Sequence, residues 1–306
     1  MILSPLNYTG NKSRLLTQLL PLFPVGINRF VDVCCGGASV GINASAKQIL
    51  CIDSNIAVIE LLRTLQHMSE RSILQKMNAI INQFQLSDSF HKSYAFYHRY
   101  IEGNNGLKAY NKDSYKRLRE FYNNYDFKSW KEKSLYLFVL IAYCFNNDIR
   151  FNSTGQFNMP VGKTDFNANM RKKLSSFKEG IRFKDIKFYM ADFSVIQEFK
   201  LNSGDFVYVD PPYLITDAVY NENGGWTPEQ EKRLLAILAK LNQQKIPFAL
   251  SNVLRKRTQE NSLLLEWIRK NKFNVKFLNY HYRSASYNKK DRDAAEQEVL
   301  IYNYEI

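Results

Sequence analysis

Apolar positions along this chain fall into two regimes. Short, nearly continuous apolar runs read as strands buried on both faces: Phe30-Val31-Asp32-Val33-Cys34-Cys35, Ile49-Leu50-Cys51-Ile52, Ile186-Lys187-Phe188-Tyr189-Met190, Phe206-Val207-Tyr208-Val209 and residues 246–250. Residues 275–282 and 298–304 alternate, as half-buried strands do. Between residues 61 and 184 the period becomes helical, clearest over 73–84 and 135–145, with irregular polar stretches such as the Asn- and Gly-rich segment 102–106. Leucines over residues 11–20 predict a short helix. Thr227-Pro228-Glu229-Gln230 is a capping box with proline at the first helical position, predicting a helix to about Gln244, and residues 259–271 predict an amphipathic helix. The pattern predicts an α/β protein. One mostly parallel sheet is built from residues 1–60 and 185–306, and a mainly helical insertion, residues 61–184, separates its halves. No internal repeat or low-complexity linker interrupts it.

Two strand ends carry candidate chemistry. Phe206–Val209 runs into Asp210-Pro211-Pro212-Tyr213, and ligands of open α/β sheets gather at the carboxyl ends of strands. Two prolines cannot continue a hydrogen-bonded ladder, so the chain turns there and leaves the Asp210 carboxylate beside the Pro211 carbonyl. Those two acceptors suit both hydrogens of a planar amine, and Tyr213 offers a face for stacking. A strand closed by a Pro-Pro turn, with no ligand, is the alternative.

Upstream, Gly36-Gly37-Ala38-Ser39-Val40-Gly41 follows the first strand, and the Ala-rich segment to Lys47 reads as a helix. Glycines allow close approach of a ligand to the backbone. Asp53 ends the next strand, where nucleotide-binding units place the acid that grips ribose hydroxyls; a helix cap for residue 55 onward competes with that role. The spacing is not G-x-G-x-x-G, so a small adenosine cofactor fits better than a dinucleotide. A nicotinamide dehydrogenase is disfavoured further by the absence of a paired acid–base histidine.

Charge points the same way. The net charge is +13, and residues 61–184 hold 21 basic against 10 acidic residues. That concentration marks the insertion as the half facing a polyanion, since neutralised phosphates release counterions; a solvated basic surface is the alternative. Hydrophobic residues at 45% allow a large core. Cys34, Cys35, Cys51 and Cys144 form no C-x-x-C pair, and three of them fall in predicted buried strands, implying a reducing cytoplasm. His67, His91, His98 and His281 lack zinc-ligand spacing, so no metal is expected. No signal pattern or membrane-length apolar run is present, so a cytoplasmic protein without membrane association is expected.

Asn7-Tyr8-Thr9-Gly10-Asn11-Lys12, Asp32-Val33-Cys34-Cys35-Gly36-Gly37-Ala38-Ser39 and Asp210-Pro211-Pro212-Tyr213 resemble, in order, three motif blocks of the Dam-like DNA adenine methyltransferases. Residues 145–152 and 155–162 are similar to that family's DNA-contacting stretch. Tyr8 departs from the tryptophan of many relatives but keeps an aromatic ring. The resemblance implies a Rossmann-like class I methyltransferase core with a target-recognition insertion, S-adenosylmethionine as cofactor and double-stranded DNA as partner.

Carried over residue by residue, the resemblance makes Asp210, Pro211, Pro212 and Tyr213 the catalytic block around a flipped-out adenine. Tyr8 and Lys12 approach the cofactor's methionine moiety; Asp32, Cys34, Gly36 and Gly37 form the wall beneath it. Asp53 binds its ribose, Asp192 its adenine amine, and Asp210 borders it. Arg150 and Asn152 are candidates for base edges, and Arg255, Lys256, Arg257, Lys289 and Lys290 for phosphates. Competing readings are a surface lysine at Lys12, a strand-end cap at Asp192, a structural hairpin over residues 151–157 and solvated charge runs. The tyrosines between Tyr94 and Trp130 read as helix packing. The expected activity is adenine-N6 methylation by a monomer whose system partner is a restriction endonuclease. Methylation of a cytosine or RNA amine, or an inactive DNA-binding relative, are the alternatives.

Overall fold

The computed structural model describes residues 1–101, 103–215, 225–279 and 297–306. Along the chain its strands are β1 (Ile27–Val33), β2 (Ala46–Asp53), β3 (Ile186–Met190), β4 (Asp205–Val209), β5 (Phe248–Val253), β6 (Arg255–Lys256), β7 (Gln259–Glu260), β8 (Asn274–Phe277) and β9 (Glu298–Tyr302). Its helices are α1 (Leu16–Leu19), α2 (Ile56–His67), α3 (Glu70–Gln83), α4 (Ser89–Lys92), α5 (Lys108–Asn124), α6 (Trp130–Tyr143), α7 (Ala168–Ile181), α8 (Pro228–Gln243) and α9 (Ser262–Asn271). They divide between two compact units: Lys12–Ser54 with Lys184–Ile306 holds the strands, and Met1–Asn11 with Asn55–Phe183 holds α2 to α7. Residues 55–60 group with the helical unit because α2 buries Val58, Ile59, Leu61, Leu62 and Leu65 and packs on α6, and residues 1–11 group with it too, rather than with the sheet as expected.

In the sheet unit the strand order is β3-β2-β1-β4-β5-β9-β8. The first five strands are parallel, and β9 and β8 add an antiparallel edge. This is an open Rossmann-like α/β sheet. Every residue of β4 is buried, as its unbroken apolar run requires. Alternation divides the side chains between the two faces. Val31, Val33, Val207 and Val209 pack with Leu234, Leu238 and Leu241 of α8, while Phe23 meets Phe30, Phe206 and Tyr208 at centroid distances of 5.1 to 5.6 Å. Thr227 and Gln230 form the expected reciprocal capping box of α8. In the helical unit α6 is buried from Ser134 to Tyr143 and packs against α2, α3 and α5, which is why it is apolar all round.

The sheet's order of addition reverses between β1 and β4. β2 and β3 extend it one way and β5 the other, so their neighbouring carboxyl ends form the switch point where such sheets bind ligands. Val33 pairs in register with Val209, and the Asp210 amide donates to the Val33 carbonyl at 3.1 Å. The glycine turn and Asp210-Pro211-Pro212-Tyr213 therefore leave the sheet side by side.

Several expected elements are corrected. No helix follows the glycine turn: a single 3-10 turn, Gly41–Asn43, leads into β2 at Ala46. Cys34, Gly36 and Ala38 all have positive φ, and the Gly41 amide is taken by Asp32 at 2.8 Å, so helical geometry and helical bonding are both lost. β1 stops at Val33, which leaves Cys34 and Cys35 in the turn rather than in a strand. The first helix contracts to α1 and a 3-10 turn containing Pro21. Gln259 and Glu260 pair with Arg255 and Lys256, so α9 starts only at Ser262, capped by Asn261. The run expected over 275–282 is strand to Phe277, and its residues 280–282 lie outside the described set.

Candidate active site

Lys12 is the centre of the switch-point chemistry. Its side chain is 3% exposed, and its Nζ lies 2.9 Å from Asp210 Oδ1, 3.1 Å from Glu298 Oε1 and 2.6 Å from the Tyr213 hydroxyl. Its backbone amide donates to Ser39 Oγ. A lysine held this way is not a surface residue. The Tyr213 hydroxyl also lies 3.1 Å from both Asp210 Oδ1 and Glu298 Oε1. Nζ is 5.0 Å from the Tyr213 ring centroid, which, with its short contact to the hydroxyl, puts the ammonium off the phenolic end of the ring rather than over its face.

Both partners of Asp210 use Oδ1. Among the described residues neither Oδ2 nor the Pro211 carbonyl accepts a hydrogen bond, and the Asp210 side chain keeps 17% exposure. Asp210 Oδ2 and the carbonyl of the buried Pro211 thus keep their acceptor capacity among the described residues. Burial pushes the Asp210 carboxyl up to about 6 against the pull of Lys12, and the Glu298 charge adds to the rise.

Sequence reading missed Glu298. It opens β9, is 1% exposed and pairs in register with Val253 of β5. A signal existed: one carboxylate heading the apolar run Val299-Leu300-Ile301 is costly unless it has a partner.

Acidic side chains also sit at the neighbouring strand ends. Asp53 Oδ2 accepts from the Gly36 amide at 2.8 Å, and Asn55, not Asp53, caps α2. A carboxylate on the amide of the glycine turn opposes a phosphate there and suits neutral hydroxyl or amine donors, as an adenosine carries. The chain thus fits a nucleoside cofactor better than a dinucleotide. Gly36 takes φ +48°, a conformation glycine adopts without strain, and the turn buries Gly37. Asp32 holds the Gly41 amide, and burial pushes its carboxyl up to about 8, with Asp210 and Asp53 adding to the rise. Burial likewise raises the thiols of Cys34, Cys35 and Cys51, so they act as apolar filling rather than nucleophiles. Asp192 caps the 3-10 turn after β3 through the Ser194 amide and pairs with Arg233 at 3.2 Å; it is half-exposed, so the capping role is realised.

In the helical unit the first and fourth sequence blocks meet. Thr9 Oγ1 donates to Asp148 at 2.6 Å, Asn7 Nδ2 donates to Asn147 at 3.2 Å, and Lys173 donates to Asn7. Asn11 donates to the Tyr8 carbonyl, which fixes the turn carrying Tyr8. Residues 151–157 form the expected hairpin, closed by a Phe151–Phe157 bridge. Arg150 Nε donates to Asn158 at 2.9 Å. The Asn152 carboxamide oxygen accepts from the Thr154 amide and hydroxyl and the Gln156 amide. That oxygen belongs to the turn, which removes the acceptor a bidentate contact to adenine needs. Tyr97, Tyr115, Tyr122, Tyr136 and Tyr143 are buried in helix packing.

In the sheet unit, Arg255 sits in the β6–β7 ribbon and pairs with Glu260 at 2.7 Å, Lys256 is half-buried and Arg257 turns the ribbon with φ +52°. Lys289 and Lys290 lie outside the described residues, as does His281. Among the described residues no group of three His, Cys, Asp or Glu side chains could hold a metal, and no helix is long and apolar enough to cross a membrane.

Comparison with known proteins adds independent findings. A family model, D12 class N6 adenine-specific DNA methyltransferase, matches residues 8–295. Type II methyltransferase M.FokI of Planomicrobium okeanokoites is 38% identical over 309 residues, covering 99% of this chain and 43% of that protein. Modification methylase StsI of Streptococcus sanguinis is 36% identical over 310 residues, covering 99% and 43%. The DNA adenine methylase of Escherichia coli strain K12 is 23% identical over 301 residues, covering 97% and 94%. The chain therefore spans less than half the length of the first two relatives.

Proposed function

The chain belongs to the D12 class of N6 adenine-specific DNA methyltransferases, and from that membership we propose that it methylates the exocyclic amine of an adenine flipped out of double-stranded DNA. The observation that carries the reading is the pair of acceptors at the switch point, Asp210 Oδ2 and the Pro211 carbonyl, beside a glycine turn that suits a nucleoside. S-adenosylmethionine, when bound, supplies a methyl group already activated by a sulfonium. Gly36, Gly37, Asp32 and Asp53 are the residues that would hold it, with Lys12 and Tyr8 from the first block and Asp192 at the adenine end.

An adenine amine is a weak nucleophile because its lone pair is delocalised into the ring. Asp210 and Pro211 orient its two hydrogens and draw the lone pair out of conjugation, so positioning and fixed charge supply the catalysis. Asp210 need not take a proton beforehand, since the amine becomes acidic only as the new bond forms. Extrusion of the base costs a few kcal/mol. Stacking on Tyr213 offsets roughly 1 to 3 kcal/mol of it, by analogy with single-strand binders. The basic excess of the helical unit supports a role in target recognition, with Arg150 at base edges and Arg255, Lys256 and Arg257 of the sheet unit on phosphates.

As a modification methylase, the name one relative carries, it would work beside a restriction endonuclease in the cytoplasm of a bacterial or phage-infected cell. Purified protein given a labelled methyl donor and duplexes offering only adenine or only cytosine targets tests the chemistry. N6-methyladenine alone among the hydrolysed nucleosides is expected; N4-methylcytosine, or no transfer with cofactor bound, overturns it.

A further inference from the structure

Two buried carboxylates share one lysine at this site, and the second has no place in the amine clamp. Glu298 Oε1 takes Lys12 and the Tyr213 hydroxyl, each at 3.1 Å, while its Oε2 is buried without a hydrogen-bond partner among the described residues. A bridge built only for stability would satisfy that oxygen, and an apolar residue in an apolar strand would be cheaper still. The groups around Asp210 settle the local charge. Lys12 comes from the amino-terminal segment, Tyr213 from the Pro-Pro turn, Glu298 from β9, Asp32 and Cys34 from β1 and its turn, and Tyr208 from β4. Burial keeps Asp32, Cys34 and Tyr208 uncharged at neutral pH. Among the described residues one ammonium then stands against two carboxylates, and a lone Lys12–Asp210 pair would cancel.

We propose that Glu298 is a positioning residue for methyl transfer: it divides the Lys12 ammonium with Asp210, so that a net negative charge remains beside the amine as that amine becomes cationic. This rests on the function proposed above. As the N–C bond forms, the donor's S–C bond breaks and its electron pair leaves on the thioether sulfur. The amine nitrogen carries the positive charge until one of its protons passes to Asp210 and on to solvent. An attraction that grows only as this charge develops accelerates the step without tightening the ground state.

Methyl transfer to an adenine-containing duplex is measured from pH 5 to 8.5 for the wild type, Glu298→Gln and Glu298→Asp. S-adenosylhomocysteine affinity, thermal melting and the carboxyl ¹³C titration of Asp210 in the free protein, assigned by its loss in Asp210→Asn, accompany the rates. Glu298→Gln is expected to lower kcat roughly ten- to a hundredfold, by analogy with the outer partners of metal ligands, with KM values within about threefold. The Asp210 midpoint and the acid limb of kcat are both expected to move to lower pH, because a neighbouring charge that raises the carboxyl's proton affinity is gone. Glu298→Asp is expected to recover part of the rate, and it carries the test if Glu298→Gln does not fold. An unchanged kcat and Asp210 midpoint, or losses confined to melting and cofactor affinity, would overturn the proposal. If the wild type transfers nothing to adenine, the proposed function fails, and the Asp210 titration still decides the role of Glu298.

Discussion

The proposed chemistry concentrates in Asp210, whose two oxygens are differently employed: Lys12 and Tyr213 hold Oδ1, and the proposal assigns Oδ2 to the substrate. Asp210→Ala is expected to abolish transfer while duplex affinity stays within a few fold in a gel-shift titration; binding lost in proportion would mark a structural aspartate. Asp32 makes a separate prediction about stability. The folded protein keeps the Asp32 proton up to about pH 8, whereas the unfolded chain releases it near its ordinary value of 3.8. Between those values the folded state binds more protons, so stability falls as pH rises, by at most about 1.4 kcal/mol per pH unit. Asparagine cannot titrate and keeps an acceptor for the Gly41 amide. Denaturant unfolding of Asp32→Asn at pH 5, 7 and 8.5 should show its stability relative to wild type improving up to about pH 8; a pH-independent difference would refute this. Asp210, Pro211, Pro212 and Tyr213 stand out in the sequence because they are consecutive. Glu298 does not, because its partnership with Lys12 joins opposite ends of the chain.

At the scale of elements, parallel strands and capped helices were readable because burial on both faces and capping chemistry are local signals. Asp205–Val209 and Thr227–Gln230 are examples. Residues 38–47 were misread for a tertiary reason: Asp32 captures the amide that a helix would have used. The arm over residues 144–162 also depends on close packing. A Cβ on Gly162 would lie 2.2 Å from the Cys144 carbonyl oxygen, across the Cys144–Val161 bridge at the base of the hairpin. Backbone cannot yield that far without breaking the bridge. Gly162→Ala should therefore weaken duplex binding at least about tenfold, in the range of overpacking penalties of 1–3 kcal/mol, with S-adenosylhomocysteine affinity unchanged by calorimetry. Equal loss of both would place the defect in global folding instead.

The whole molecule separates charge from chemistry. The switch-point acids lie in the sheet unit, while residues 61–184 supply most of the +13 net charge. Composition made that asymmetry legible; which basic groups meet phosphates depends on a folded surface, as the pairing of Arg255 with Glu260 illustrates. Affinity for duplex DNA should fall at least tenfold between 50 and 200 mM salt, following a log-log slope of about −0.9 per neutralised phosphate, and a flat response in fluorescence anisotropy would contradict a phosphate-binding role. The central claim is that an adenine amine is methylated at Asp210. It is tested most directly by methylation-detecting sequencing of DNA from cells expressing this chain or its Asp210→Ala variant. N6-methyladenine is expected at one recurring sequence with the wild type and at none with the variant; methylated cytosine, or an identical adenine pattern from both, would show that Asp210 does not carry this chemistry.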